Sequence, residues 1–169
     1  IVHNPSSNCK LASGIAPVAR VLGTTGNVAL GTDGASSNNN LDMFQEMRLC
    51  AMLSAVSTGN PRALTPYEIL RMATLGGATA LHRAHECGTL EVGKDADIIL
   101  VDIDKPHLTP LNDPFSALVF SAKSSDVDTT ICKGNILMQN RCLTTIDQEA
   151  SMKQLKRNWK QLLDRTTTS

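Results

Sequence analysis

No charge of one sign prevails in this sequence of 169 residues, where Lys+Arg 16 balance Asp+Glu 16. That balance excludes a general nucleic-acid or anionic-membrane binder, since either needs a basic surface. No apolar run approaches the ~20 residues that cross a bilayer. The five cysteines (Cys9, Cys50, Cys87, Cys132, Cys142) are odd in number and none stands in a CxxC pair. Neither a structural zinc site nor a disulfide framework is therefore suggested, and buried reduced thiols in a cytoplasmic protein are expected. Aromatic residues make up only 3%, so the 41% hydrophobic content that excludes bulk disorder is mainly aliphatic. Internal repeats, low-complexity tracts and a phosphate loop with its Lys-Ser/Thr are all missing. There is no initiator Met, basic n-region or apolar h-region at the start. Ile1-Val2-His3-Asn4-Pro5 reads as the last residues of a strand entering a loop, and a piece of a longer chain is expected.

What is present alternates between strand and helix. Val18 to Leu22 reads as a short apolar helix closed by Gly23-Thr24-Thr25-Gly26, and Val28 to Thr32 as a buried parallel strand. After the polar loop Ala35 to Asn40, a helix capped by an Asn is expected from Leu41, with Leu41, Phe44, Met47, Ala51 and Ala55 on one face. Thr65-Pro66-Tyr67-Glu68 places an N-cap Thr, a Pro at the first helical position and a Glu at the third, which is a capping box. Gly76-Gly77 should interrupt that helix. These are βα units, and the fold class is α/β. Beyond Gly88 the texture becomes a small β unit, with strands expected at Ile98 to Val101, Ala117 to Ser121, Val127 to Cys132 and Ile136 to Gln139, the last two around a Lys133-Gly134-Asn135 turn. From Asp147 to Asp164 a helix should bury Leu155, Trp159 and Leu162, and Thr166 to Ser169 should fray.

Leu30-Gly31-Thr32-Asp33-Gly34 is the strongest chemical candidate. A carboxylate at the C-terminal end of a buried strand, beside glycines that admit a ligand, is where α/β barrels place catalytic groups. Asp33 could bind a metal or take a proton from water, although Asp-Gly is also common in plain turns. His3, at the preceding strand end, would share its rim and could bind metal, polarise a substrate or hold the loop. Ser36, Ser37 and Asn38 to Asn40 could contact a polar substrate or be solvated loop. His82-x-x-His85 has a permissible ligand spacing, but nothing nearby completes a tetrahedral set.

The run His3-Asn4-Pro5-x-Ser7-Asn8-x-Lys10-Leu11-x-Ser13-Gly14, then Leu30-Gly31-Thr32-Asp33-Gly34, then Ser37-Asn38-Asn39-x-Leu41-Asp42-Met43-x-x-Glu46-Met47-Arg48 resembles the amidohydrolase superfamily. Within it the likeness is to methylthioadenosine/S-adenosylhomocysteine deaminases and triazine chlorohydrolases. Gly88-x-Leu90-Glu91-x-Gly93-Lys94-x-Ala96-Asp97 resembles that family's return into its β domain. The resemblance implies the last two βα units of a (β/α)8 TIM barrel over residues 1–87, a segment of the composite β-sandwich over 88–146, and a C-terminal helix and tail over 147–169. It also implies a Zn2+ or other divalent-metal hydrolase, with Asp33 as metal ligand and proton acceptor and with His3 and Ser37 on the substrate side. In the family an HxH pair and a further His complete the metal site. No HxH occurs here, so the chain alone is expected to hold no metal stably and to be inactive. The expected activity of the parent is hydrolytic deamination of an adenosine-type substrate. The alternatives are loss of chloride or an amine from a triazine, opening of a cyclic amide, or a non-catalytic piece with an incomplete metal site. A small-molecule substrate is the expected partner, without nucleic acid or membrane, and a homo-oligomer is compatible with the resemblance.

Overall fold

The computed structural model of the protein describes residues 1–167. Strand β1 (Val2–His3) pairs in parallel with β2 (Ala29–Leu30), in the register Val2↔Ala29 and His3↔Leu30. The Ala29 N–H donates to the Ile1 carbonyl at 2.9 Å and the Gly31 N–H to the His3 carbonyl at 3.0 Å. Parallel neighbours need a crossover, and here it contains helices α1 (Pro5–Lys10) and α2 (Val18–Thr25). The crossover ends where Gly26 takes a left-handed φ of 77°, a helix stop that costs glycine nothing. Both strand ends thus open toward the same side, as the alternating pattern predicts.

Helix α3 (Ala35–Asn38) is a single turn, and α4 (Met43–Thr58) follows it. The α4 cap corrects the expectation of an Asn and a start at Leu41. The Asp42 carboxylate accepts from the Phe44 and Gln45 N–H groups at 2.9 and 3.3 Å, while Leu41 is left 60% exposed. The asparagines are engaged elsewhere: Asn38 bonds inside the site described below, and Asn40 donates to Gln45 Oε1 at 2.7 Å.

Helix α5 (Pro66–Arg71) begins at the expected capping box, with Glu68 N–H on Thr65 Oγ1 at 3.2 Å and Thr65 N–H on Glu68 Oε2 at 2.7 Å. The glycine pair does not break it. One wide turn (Met72–Gly76) carries the helix into α6 (Gly77–Ala80). Gly76 is there for close approach: a Cβ on it would lie 2.5 Å from the Val28 carbonyl oxygen. Phe44, Met47, Cys50, Ile69, Met72 and Val119 belong to one hydrophobic core that joins these helices to the later segment. Only Cys50 of the five cysteines is fully buried, and burial pushes its thiol up to about 12. Cys9, Cys132 and Cys142 are exposed free thiols, which corrects the expectation of buried ones.

Strands β3 (Ile98–Val101), β4 (Val127–Cys132), β5 (Asn135–Gln139) and β6 (Cys142–Leu143) make an antiparallel sheet in that order. The β4–β5 turn is Lys133-Gly134 with φ of 48° and 79°, and the β5–β6 turn is Asn140-Arg141 with 48° and 64°. Positive φ at both central residues gives the turn a twist that matches the strands it joins. The strand expected at Ala117 to Ser121 is instead helical. Asp113 caps Phe115 and Ser116 at 3.3 and 3.0 Å to start α7 (Pro114–Ser116), and a wide turn over Ala117–Ser121 extends it. A capped Asp-Pro start outweighs the β propensity of the residues after it.

Helix α8 (Gln148–Thr167) corrects another expectation, because Leu155 and Trp159 are 69% and 58% exposed and Leu162 is also exposed rather than packed on the body. The helix runs through Thr167, and fraying of 168–169 lies outside the described residues. No helix among the described residues is long and apolar enough to cross a membrane.

The two adjacent glycines should respond oppositely to alanine. Gly76→Ala drives a Cβ into backbone and should cost ~1–3 kcal/mol. Gly77→Ala meets nothing within 4 Å in a helical turn and should stabilise by ~0.5–1 kcal/mol. Urea midpoints of the two variants measure this, and a shift of the same sign in both would refute the packing account.

Candidate functional site

The loops that leave β1 and β2 lie side by side, and a carboxylate is held between them. Asp33 takes a left-handed φ of 61°, which Asp tolerates better than most side chains. Its Oδ2 accepts from Ser7 Oγ at 2.6 Å, and its Oδ1 from the Gly34 N–H at 2.7 Å. The Ser7 bond first, then Gly34 and Ser37, hold this exposed carboxyl below the usual Asp range. Ser37 Oγ also donates to the Gly34 carbonyl at 3.0 Å and closes the loop on itself. A carboxylate has about four acceptor directions, so the bonds from Ser7, Gly34 and Ser37 leave room for a further partner.

A second carboxylate lies underneath. Glu46, on α4, is 0% exposed. Its Oε2 accepts from the Ser6 N–H at 2.9 Å and its Oε1 from Asn38 Nδ2 at 2.8 Å. Asn38 Nδ2 also donates to the Thr32 carbonyl at 2.6 Å, so one side chain grips both ends of the Asp33 loop. Gln45 Nε2 donates to Ser6 Oγ at 3.2 Å, and Lys10 Nζ reaches the Ser36 carbonyl at 3.0 Å and Asn39 Oδ1. The Ser7 hydroxyl that positions Asp33 is therefore fixed from below, through the backbone of α1.

His3 is brought near this network but not to its surface. It is 4% exposed, and burial pushes the imidazole pKa down, with the charge of Glu46 opposing the shift. Its Nδ1 is buried without a hydrogen-bond partner among the described residues. Successive side chains of a strand face opposite ways, and exposed Val2 takes the other face. His3 thus belongs to the packed side of β1, below the rim on which the pattern places it.

The structure brings together Asp33, Ser37 and, at depth, His3. Ser7, Asn38 and Glu46 complete the arrangement; motif reading assigns Ser7 and Glu46 no role of their own and offers Asn38 as a substrate contact or solvated loop, whereas its amide holds the Thr32 carbonyl and Glu46. Glu46 had a usable signal: it stands one turn before Cys50 on a face with Met47 and Ser54, where a charge has no solvent. His82 and His85 are exposed, and His85 Nε2 lies 3.3 Å from Glu86 Oε1, its sequence neighbour. Among the described residues no three His, Cys, Asp or Glu side chains group closely enough to hold a metal ion. Asp33 has the hardness and exposure of one oxygen donor, but these residues do not make a complete metal site.

The chain matches the model of the amidohydrolase family over residues 1–137. It is 52% identical over 165 residues to a 5'-deoxyadenosine deaminase of Methanosarcina acetivorans, covering 98% of this chain and 38% of that protein. It is 54% identical over 149 residues to a 5-methylthioadenosine/S-adenosylhomocysteine deaminase of Acetivibrio thermocellus, covering 88% and 35%. Among solved structures, an adenosine deaminase from Xanthomonas campestris with bound zinc superposes with a TM-score of 0.90 at 39% identity, over 99% of this chain and 37% of that one. An atrazine chlorohydrolase from Arthrobacter aurescens, complexed with zinc and atraton, superposes with a TM-score of 0.86 at 28% identity, over 93% and 35%. The chain thus spans between a third and two fifths of the length of these relatives.

Two measurements test this geometry. Ser7→Ala removes the leading cause of the Asp33 shift, so the Asp33 carboxyl should titrate closer to the ordinary Asp value, read from its side-chain carbon resonance; an unmoved titration would remove Ser7 from the site. His3 ionises less readily folded than unfolded, so the unfolded chain takes up a proton that the folded chain refuses. Stability should then be full above about pH 6.5 and fall as pH drops below it. His3→Gln should flatten that acid-side loss in urea titrations at pH 7 and pH 5, and an unchanged slope would contradict the burial.

Proposed function

The chain belongs to the amidohydrolase family, and from that premise we propose that it is the C-terminal portion of a metal-dependent hydrolase that deaminates an adenosine-type substrate. One observation carries the reading: an ionised, exposed carboxylate is pinned at the open end of a parallel strand pair, in a chain about half identical to two adenosine-type deaminases. We read residues 1–87 as the last two βα units of a (β/α)8 barrel, 88–146 as part of its β-sandwich and 147–169 as a terminal helix and tail. Parallel β1 and β2 with their helical crossover support the barrel assignment, because active-site groups of such barrels lie beyond the C-terminal ends of the strands.

Asp33 has two tasks in this reading. It accepts the proton of the attacking water at a carboxylate oxygen, and it contributes one oxygen donor to a divalent cation. The remaining donors must come from outside these 169 residues. The Ser7 and Gly34 bonds fix the direction of its lone pairs, which matters more for proton transfer than raw basicity. Ser37 is assigned to substrate contact, on the loop that carries Asp33. His3, expected on the substrate side, is buried on the other face of β1 and is assigned to support of the loop from below. The triazine chlorohydrolase reading is weaker, since identity drops from about half with the deaminases to 28%.

In the complete enzyme, Asp33→Asn should lower kcat by at least ~10²–10⁴-fold while leaving the melting temperature near normal. His3→Ala should cost less activity and more stability. Steady-state deamination of 5'-deoxyadenosine, with zinc content assayed in parallel, is the measurement. Near-normal turnover of the Asp33 variant would remove Asp33 from catalysis and leave the proposal with family likeness alone.

A further inference from the structure

Asn4 occupies the N-cap position of α1, where an asparagine side chain ordinarily accepts from the first free N–H groups of the helix. Here it caps nothing, with φ −120° and ψ 77°. Pro5 has no N–H to offer, and the Ser6 N–H is already taken by buried Glu46 Oε2 at 2.9 Å. Glu46 therefore does the capping from the packed side of the sheet, and the carboxamide of Asn4 is released to the opposite side.

Where it goes is shown by Gly31. A Cβ on Gly31 would lie 2.5 Å from Asn4 Oδ1 and 3.2 Å from Val2 Cγ1. Val2, Asn4 and Gly31 thus share one face of the strand pair, the face opposite His3, and the missing side chain of Gly31 is the space in which the amide lies. Gly31 is two residues before Asp33, and Asn4 three before Ser7, which holds Asp33. Among the described residues no hydrogen bond engages the Asn4 carboxamide. A half-buried amide with its donor and acceptor both unused, cradled beside the catalytic candidate, is a group prepared for a ligand.

We propose that Asn4 is a substrate-contacting residue, whose carboxamide hydrogen-bonds a donor-acceptor edge of the adenosine-type substrate while Gly31 keeps its place clear. This rests on the deaminase reading above.

The test is a double-mutant cycle in the complete zinc-loaded enzyme, with 5'-deoxyadenosine as the probe. Asn4→Ala should raise KM about tenfold or more with kcat much less affected, and with melting temperature and zinc content unchanged, because the side chain caps no helix. Gly31→Ala should produce a similar KM defect by displacing the amide, and should add little further KM defect when Asn4 is already alanine. Unchanged kinetics in Asn4→Ala, a loss that follows the melting temperature, or fully additive effects of the two changes would each overturn the proposal while leaving the deaminase reading intact. A wild-type enzyme that deaminates no adenosine-type nucleoside would overturn the deaminase reading, and the assignment of Asn4 with it.

Discussion

Two loops from separate strands are joined by one buried carboxylate. Glu46 is removed from water and repaid by the Ser6 N–H and by the Asn38 amide, which in turn holds the Thr32 carbonyl. A carboxylate in such a place is costly unless these donors are all present. That cost is why the arrangement is rigid: moving either loop strands a buried charge. The position of Ser7, and through it the direction of Asp33, follows from this constraint.

The same constraint sorts the side chains of β1 into two environments. His3 faces the helices and shares the buried space with Glu46, where desolvation favours its neutral form. Val2 and Asn4 face the other way, beside Gly31. A strand only two residues long thus separates a supporting network from the side on which Asp33 is exposed. Helix α4 extends the support further from the site. Arg48 Nη2 donates to the Ala122 carbonyl at 2.7 Å, and Ser124 Oγ to the Asp42 carboxylate at 2.9 Å. The connection between β3 and β4 is tied in this way to the helix that carries Glu46.

Hydrophobic patterning meets its limit in α8 and β3. Met152, Leu155 and Trp159 form an apolar stripe, and the Ile99 and Leu100 side chains of β3 are half exposed. Alternation and helical spacing specify which side of an element is apolar, but what covers that side is decided elsewhere in the molecule. The 169 residues correspond to between a third and two fifths of their relatives' length.

Local chemistry settled much of this protein in the sequence alone. The Thr65–Glu68 capping box and the Lys133-Gly134 turn depend on residues within a few positions of one another, and backbone stereochemistry leaves them little choice. The family motifs likewise singled out Asp33 at its strand end. What only the tertiary structure decided involves competition between distant partners. Asn38 could have capped α4, but Glu46 and Thr32 claim its amide, so Asp42 caps instead. Gly76 reads as a helix breaker and serves as the seat for the Val28 backbone. Asn4 stands at the N-cap position of α1, where the sequence indicates only a loop, and Glu46, 42 positions away along the chain, holds the Ser6 N–H in its place. A hydrogen-bond donor can be shared among few acceptors, and which of them reaches it is fixed by packing, which the order of residues does not display.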